Sequence, residues 1–393
     1  MRVLYIIDSL GGGGAEHSLA AMAPHLVAGG IDLEVAYLKE RPGLHDQLQA
    51  GGVRLFSLAG EGGRAGWVRR ARRLILERRP ALVHTTLFEA DLAGRTAASL
   101  TRTPVVSSLV NDAYGPRHVH DPGLKPWKVR GAQLADLLTA RVVRRFHAVS
   151  GAVADAMSRR LLIPRDRIVV IPRGRDPVSL GVRTPTRRRA ARGRLGVPES
   201  TPLIVAAARH EWQKGLDVLL EAMPRILAHV PDAHLLIAGR EGRATRELAE
   251  LRARLGPPNR VRFLGPRGDV PDLLCAADVF VLPSRWEGFP GLLIEAMALE
   301  TPIVATDLPA VREAVGGSGV AVLVPPDDPA ALASAVAQTL RQPETAADRA
   351  REGRRRFLDH FTVERVAARM FEFYATSLNE PQGETTSIDR THR

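Results

Sequence analysis

Two glutamates, Glu287 and Glu295, flank a turn that exposes backbone: Ser284 to Glu295 reads SRWEGFPGLLIE, with Gly288, Pro290 and Gly291 between the carboxylates. The stretch follows the apolar run Val279 to Leu282 and opens a helical pattern. Glu287 then lies at the mouth of a strand, turn and helix unit, and Glu295 about a turn inside the helix. Free N–H groups at a helix start attract phosphate or sugar oxygens, and carboxylates accept hydrogen bonds from sugar hydroxyls. A nucleotide-sugar would suit such a site. A second pair of groups fits the same chemistry. Arg209 follows the apolar run Leu203 to Ala207, and Lys214 with Gly215 precedes a helix starting near Leu216. Two cations at a strand end and a helix start can bracket a diphosphate, arginine by forked donors and lysine as a point charge. Gly239 and Arg240 follow the next strand. Leu264 lies in the run VRFLG, and Pro266 and Arg267 follow it at a strand end where main-chain groups can grip a nucleobase. The sequence has no D-x-D pattern and no His, Asp and Glu cluster at metal-ligand spacing, so Arg209, Lys214 and the helix start are expected to neutralise the charge.

The elements that must position these groups are short apolar runs alternating with helical patterns. Val3 to Ile7 leads into the glycines Gly11 to Gly14 and then a helix ending at Gly29 and Gly30, followed by a strand at Leu33 to Leu38. The pattern G-x-G-x-x-G fails at Glu16, and Glu34 falls inside the second strand, which disfavours a nicotinamide site. Gly13 and Gly14 serve either a tight turn alone or a loop facing a ligand across a cleft. Further runs at Ala81 to His84, Val105 to Leu109, Arg145 to Ser150 and Ile168 to Ile171 complete a first set. A Pro- and Gly-rich stretch around 175 to 200 links it to a second, at Leu203, His234, Val261, Val279, Ile303 and Val320. Such alternation implies parallel sheets with helices on both faces. Ligands then bind beyond the carboxyl ends of the strands, which points to His84, Asn111, Asp112 and Ser150.

With 393 residues, 45% of them hydrophobic, the chain can build two full cores. The net charge of +12 comes almost entirely from scattered arginine, and aromatics make up only 5%, so nucleic acid ranks last among partners. The single cysteine, Cys275, sits in an apolar segment and reads as a core residue. The N-terminus reads as a first strand and not a signal peptide, and no run approaches the roughly 18 apolar residues of a bilayer span. A cytoplasmic protein is expected. The segment 64 to 79 places Trp67, Ala71, Leu74 and Ile75 on one helical face and arginines on the other. That face is either solvated or a peripheral contact with the inner face of a membrane, extended by Trp127, Lys125, Lys128 and Arg130.

The spacing from Glu287 to Glu295, Arg209 with Lys214 and Gly215, the glycine loop ending in Ala15 and Glu16, VIPRGRD at 170 to 176 and FLGPRGDVPDLLCAADVFVLPS together resemble a family 4 retaining glycosyltransferase of the GT-B fold. The resemblance covers nearly the whole chain. It implies an α/β architecture of two Rossmann-like, doubly wound domains facing across a cleft. Residues 1–180 would form an acceptor domain and 181–360 a nucleotide-sugar donor domain, with 361–379 a helix crossing back to the first. Residues 380–393 have almost nothing apolar and are expected to be disordered. Arg209 and Lys214 would hold the diphosphate of a UDP-sugar or GDP-sugar, and Glu295 the ribose hydroxyls. Glu287 would lie by the donor sugar, with Phe289, Pro290, Gly291 and Leu292 offering backbone groups, and no cofactor would be needed. Gly13 and Gly14 would line the acceptor side. The acceptor would be a sugar or lipid-linked hydroxyl in glycan, glycolipid or surface polysaccharide synthesis. Retention in the family is usually explained by front-face attack, with the leaving phosphate as base.

Two positions depart from the family pattern. Val110 stands where many members have His, so His84 or Asn111 is expected to contact the sugar or acceptor. Arg173 stands where many have Asn. Arg117, Arg173 and Arg175 would suit a rival of the same fold, a sugar-phosphate synthase or phosphorylase. Val110 would suit a rival of another class, a nucleotide-sugar-binding protein without turnover.

Overall fold

Apolar runs flanked by glycine become strands here because both faces of each sheet are covered, so nearly every side chain of a central strand is buried. The computed structural model describes residues 1–116, 121, 124–255, 259–317 and 319–379. Arg117 and the polar tail at 380–393 lie outside them. The first sheet holds β1 (Arg2–Ser9), β2 (Asp32–Lys39), β3 (Arg54–Ser57), β4 (Leu82–Thr86), β5 (Val105–Leu109), β6 (Phe146–Ala148) and β7 (Ile168–Val170). Its order is β3-β2-β1-β4-β5-β6-β7, and its pairings are parallel. The second holds β8 (Leu203–Ala207), β9 (His234–Ala238), β10 (Val261–Gly265), β11 (Val279–Leu282), β12 (Ile303–Thr306) and β13 (Val322–Val324), ordered β10-β9-β8-β11-β12-β13. Strand order reverses between β1 and β4 and again between β8 and β11. Those reversals open a crevice at the strand ends, and the second brings the loops after β8 and β11 together.

The strand β3 has no counterpart in the sequence reading. It is a short edge strand with Arg54 and Ser57 exposed, and Arg54 is tied to Asp32 at 2.8 Å, so it carries no apolar run. Glu34, buried in β2, is matched by Arg78 at 2.6 Å and Arg54 at 2.8 Å. That pairing leaves it no ligand role.

The two domains are joined twice, side by side. Arg175 N–H donates to the Phe361 carbonyl and Val363 N–H to the Arg175 carbonyl, both at 2.9 Å. Beyond this bridge the helix Val363–Asn379 packs Val366, Met370, Phe373 and Tyr374 into the core of the first domain, against Tyr5, Leu19 and Ile171.

His84 corrects an expectation. Thr85 and Thr86 continue the strand, so His84 pairs with Tyr5 and Val106 inside the sheet instead of standing at its mouth, and it is fully buried. It belongs to a polar chain whose direction is fixed by its last member, since a carbonyl can only accept. His147 Nε2–H therefore donates to the Ile171 carbonyl at 2.8 Å, and its Nδ1 accepts from Ser108 at 2.8 Å. Ser108 in turn accepts from His84 Nε2–H at 2.7 Å, and His84 Nδ1 accepts from the Tyr374 hydroxyl at 2.7 Å. Both rings are neutral in this arrangement. Burial drives the His84 pKa well below the usual 6.5 and that of His147 down to about 4.

The unfolded chain protonates His84 below pH 6.5 while the folded chain does not, so the wild type loses stability as pH falls through that window. Burial raises Asp8 to about 6, which acts in the opposite sense, but this cancels in a comparison with His84→Gln, which keeps a donor and an acceptor. The stability advantage of wild type over this variant should shrink by about 1.4 kcal/mol per pH unit below pH 6.5. Urea midpoints at pH 8, 6 and 5 measure it, and a constant gap would mean that the folded ring is charged.

Candidate active site

The turn after β11 presents the Glu287 carboxylate, whose side chain is 8% exposed. A carboxylate so enclosed needs donors, and two reach the same oxygen: Lys214 Nζ at 2.6 Å and Ser284 Oγ at 2.7 Å. Lys214 comes from the loop after β8, and the two loops are interlocked. Gln213 donates to the Trp286 carbonyl at 2.9 Å, and Arg285 N–H donates to the Gln213 carbonyl at 2.8 Å. Arg285 lies over the Trp212 ring at 4.7 Å and is held by Asp217 at 2.6 Å and Asp327 at 2.6 Å. Gly215 adopts φ 60°, and a Cβ there would run into the Pro283 carbonyl. Only glycine allows the loops to meet this closely.

Arg209 stands beside this unit, exposed, with no ion-pair partner among the described residues. The helix Gly291–Ala298 starts at Pro290 with no side-chain cap, leaving its first N–H groups available. Phe289 turns inward, 3% exposed, and packs on Phe361 at 5.5 Å, so it offers only backbone to the cleft. Leu292 is half-buried at the helix start. Gly239, at φ 153°, lies flush against the Ala208 carbonyl, and Leu264 is partly buried beside it in the same strand layer. The Arg267 guanidinium is closed on Asp269 at 2.6 and 2.7 Å.

Contacts from the first domain close the opposite wall. Gly288 presses on the Val110 carbonyl and on Asn111, where a Cβ would collide. Asn111 is therefore brought to the Glu287 turn, and its Oδ1 is buried with no hydrogen-bond partner among the described residues. Ser150 Oγ donates to the Gly288 carbonyl at 2.7 Å, and Gly151 N–H donates to Glu313 at 2.8 Å. Arg240 reaches across to the carbonyls of Gly11 and Gly12 in the glycine loop at 3.1 and 3.4 Å. Glu295 is met by Arg175 Nε at 2.6 Å, with both side chains mostly buried.

Lys214 and Asn111 thus meet at the Glu287 turn, and Arg175 lies against the helix start at Gly291 and holds Glu295, while Arg209 stands in the loop after β8 and Gly13 and Gly14 in the loop that Arg240 reaches. His84 does not join them. Ser284 and Arg175 hold the two glutamates, and neither role is visible in sequence, since the Arg175 to Glu295 contact spans the domain boundary. His17, just after the glycine loop, was also not singled out. Partial burial and the Arg175 charge lower its pKa, while Glu295 opposes them, which places it within reach of the same charges.

Residues 12–178 match the family model described as Glycosyltransferase Family 4, and residues 201–342 match that described as Glycosyl transferases group 1. Over 306 residues the chain is 33% identical to a D-inositol 3-phosphate glycosyltransferase of Xylanimonas cellulosilytica, covering 75% of this chain and 71% of that protein. Over 193 residues it is 32% identical to the lipopolysaccharide core biosynthesis mannosyltransferase LpsB of Rhizobium meliloti, covering 47% of this chain and 54% of that one. The structure of Anabaena Alr3699/HepE in complex with UDP-glucose superposes with a TM-score of 0.85 at 22% identity, over 96% of this chain and 100% of that one. With two parallel sheets wound in the same order and a relative of this identity and coverage, the chain belongs to the family 4 glycosyltransferases of the GT-B fold.

Proposed function

We propose that the protein transfers a sugar from a nucleoside diphosphate sugar to a hydroxyl acceptor, with retention at the anomeric carbon and without a divalent cation. One observation carries this reading: the Lys214 and Glu287 pair at an uncapped helix start, with Arg209 exposed in the same loop as Lys214 and without an ion-pair partner among the described residues. Lys214 Nζ has three hydrogens and donates one to Glu287, so two remain for phosphate oxygens. Arg209 supplies a second, forked cation, and the N–H groups at Gly291 and Leu292 aim at the same place. Together they would stabilise the diphosphate as it leaves, the point where charge grows in the transition state. Glu287 would orient Lys214 and accept from a sugar hydroxyl with its second oxygen. Glu295 Oε1 is taken by Arg175, so Oε2 is the atom left for ribose hydroxyls. Asn111 would contact the sugar or acceptor, and Gly13 and Gly14 would line the acceptor side.

A contact with an anionic membrane is part of the proposal, in a different place from the first candidate helix. In Gly63–Arg78 the residues Ala71, Leu74 and Ile75 are buried. Several arginines there are engaged, Arg64 with Glu89 and Arg70 with the Leu58 carbonyl. The helix Pro126–Ala140 instead exposes Trp127 at 67%, Leu134 at 59% and Leu138 at 56%, flanked by Lys125, Lys128 and Arg130. An exposed tryptophan among cations is the composition of an interfacial helix. No helix among the described residues is long and apolar enough to cross a membrane.

Arg209→Ala removes no side-chain hydrogen bond or ion pair among the described residues, so its melting temperature should stay within a degree or two of wild type while the affinity for UDP-sugar or GDP-sugar falls about tenfold or more, the value of a charge-assisted hydrogen bond. Glu287→Ala should reduce turnover by about 100-fold or more. Calorimetry and nucleotide-release assays read both. Donor binding with neither release nor transfer by the wild type would leave a nucleotide-sugar-binding protein. Transfer in excess EDTA should keep its rate within about twofold, and proton NMR of the product should show the donor's anomeric configuration; a loss of either would remove that part of the proposal. Paired substitution Trp127→Ala and Leu134→Ala should reduce sedimentation with phosphatidylglycerol vesicles and leave soluble-acceptor turnover unchanged. Equal sedimentation would place any membrane contact elsewhere.

A further inference from the structure

A cavity of about 40 Å³ lies in the first domain, between the helices Gly14–Ala28 and Val363–Asn379 and the ends of β4, β5 and β6. Its walls are mostly apolar, including Leu19, Met22, Val149, Val366 and Met370. Five polar groups in the wall are already satisfied by neighbours. Tyr5 and Thr86 share a hydrogen bond at 2.6 Å, Ser18 donates to the Gly14 carbonyl at 2.8 Å, and Ser108 and His147 belong to the chain that ends at Ile171. The remaining polar group is Arg173, which is different. Its Nε is shut away from water and has no hydrogen-bond partner among the described residues. It forms no ion pair there either, although Glu16 and Glu287 act on it from farther away. Burial and the Arg175 charge pull its pKa down to about 10.

A half-buried guanidinium without a close counter-charge is unfavourable, and the surrounding chain makes room for it. A Cβ at Gly14 would strike the Arg173 guanidinium, so the glycine loop leaves space there. The helix start beside it, with Gly13 at the cap position, has no side-chain cap. Arg175, two residues on, is already committed to Glu295. Arg173 is thus a cation without a hydrogen-bond or ion-pair partner among the described residues, facing a cavity whose lining includes Val110, next to the Glu287 turn.

We propose that Arg173 receives an oxyanion carried by the acceptor, so that the acceptor is a hydroxyl compound bearing a phosphate monoester or a carboxylate. This rests on the transferase reading above and names the acceptor's chemical class. Size favours a substituent and not a whole sugar. A water needs about 10–15 Å³ of such volume, so the cavity holds about three waters, which suits one oxyanion group and excludes a pyranose ring. The ring would stay in the cleft with its hydroxyl toward the donor, while the forked donors of Arg173 hold the anion.

The test uses the full-length protein saturated with UDP, titrated calorimetrically with glucose, glucose 6-phosphate, glucuronate and inorganic phosphate. At least one oxyanion-bearing probe is expected to bind ten times more tightly than glucose, with glucose 6-phosphate and glucuronate separating phosphate from carboxylate. Arg173→Gln should abolish that preference and leave the UDP affinity within twofold, and Arg173→Lys should restore part of it. Three results would each overturn the proposal: no oxyanion probe exceeding glucose, Arg173→Gln binding them like wild type, or Arg173→Gln losing UDP instead. If the wild type fails to bind UDP, the transferase reading falls. The same titrations without UDP still decide whether Arg173 is an anion receptor.

Discussion

The ion pair between Lys214 and Glu287 is the constraint on which the site depends. A carboxylate 8% exposed and an ammonium 19% exposed are stable together only if each is held in register, because either one alone would be a costly buried charge. That requirement explains why the loops after β8 and β11 are built as one body. Gln213 and Arg285 exchange backbone and side-chain bonds between them, Gly215 removes the Cβ that would separate them, and Arg285 is braced by two aspartates and a tryptophan face. The result is a preorganised cation and carboxylate at a helix start, whose geometry does not wait for a ligand.

The second domain is rigid in this sense, and directional contacts tie it to the first across the junction. Ser150 to Gly288, Gly151 to Glu313, Arg175 to Glu295 and Arg240 to the glycine loop are all polar. Gly288 supplies close approach at Val110 without a side chain. Apolar packing crosses the junction as well, since one buried cluster holds Val149, Val153 and Leu180 of the first domain with Phe289, Leu293 and Leu308 of the second. The paired crossings at Arg175 and Phe361 to Val363 provide the point about which separation can occur. Glu295 is then bonded across the cleft while the loops of the second domain keep their shape.

The parts of this architecture that could be read from sequence are those encoded locally. Short apolar runs marked twelve of the strands, because central parallel strands are buried on both faces and carry a continuous apolar signal. The edge strand β3 escaped because half its residues face water. The glutamate turn and the two cations were legible because their spacing and their position at strand ends are local properties. His84 was misplaced by a boundary error of two residues, enough to move a side chain from the cleft into the core. The partners of Glu287 and Glu295 were not legible as pairs. Ser284 was in the quoted stretch without a role, and Arg175 is 120 residues away from Glu295. Only the packing of one domain on the other decides which cation meets which carboxylate.

Arg173 and Arg175 show how strongly that packing decides. They are the same residue type, in one strand-end loop, separated by Gly174. A Cβ on that glycine would meet the backbone of Val363 and the side chain of Val366, so the loop is pressed flat onto the C-terminal helix. Arg175 turns into the cleft and finds a carboxylate at 2.6 Å. Arg173 faces the cavity, where the neighbouring polar side chains Tyr5, Ser18, Thr86, Ser108 and His147 already have partners. A charge that is neutralised internally stabilises one arrangement of domains, and a charge that is not neutralised stabilises whatever anion can reach it. The two arginines therefore divide the work of the cleft. Arg175 fixes the position of the second domain's glutamate, and the unmatched field of Arg173 is left to select what enters from the acceptor side.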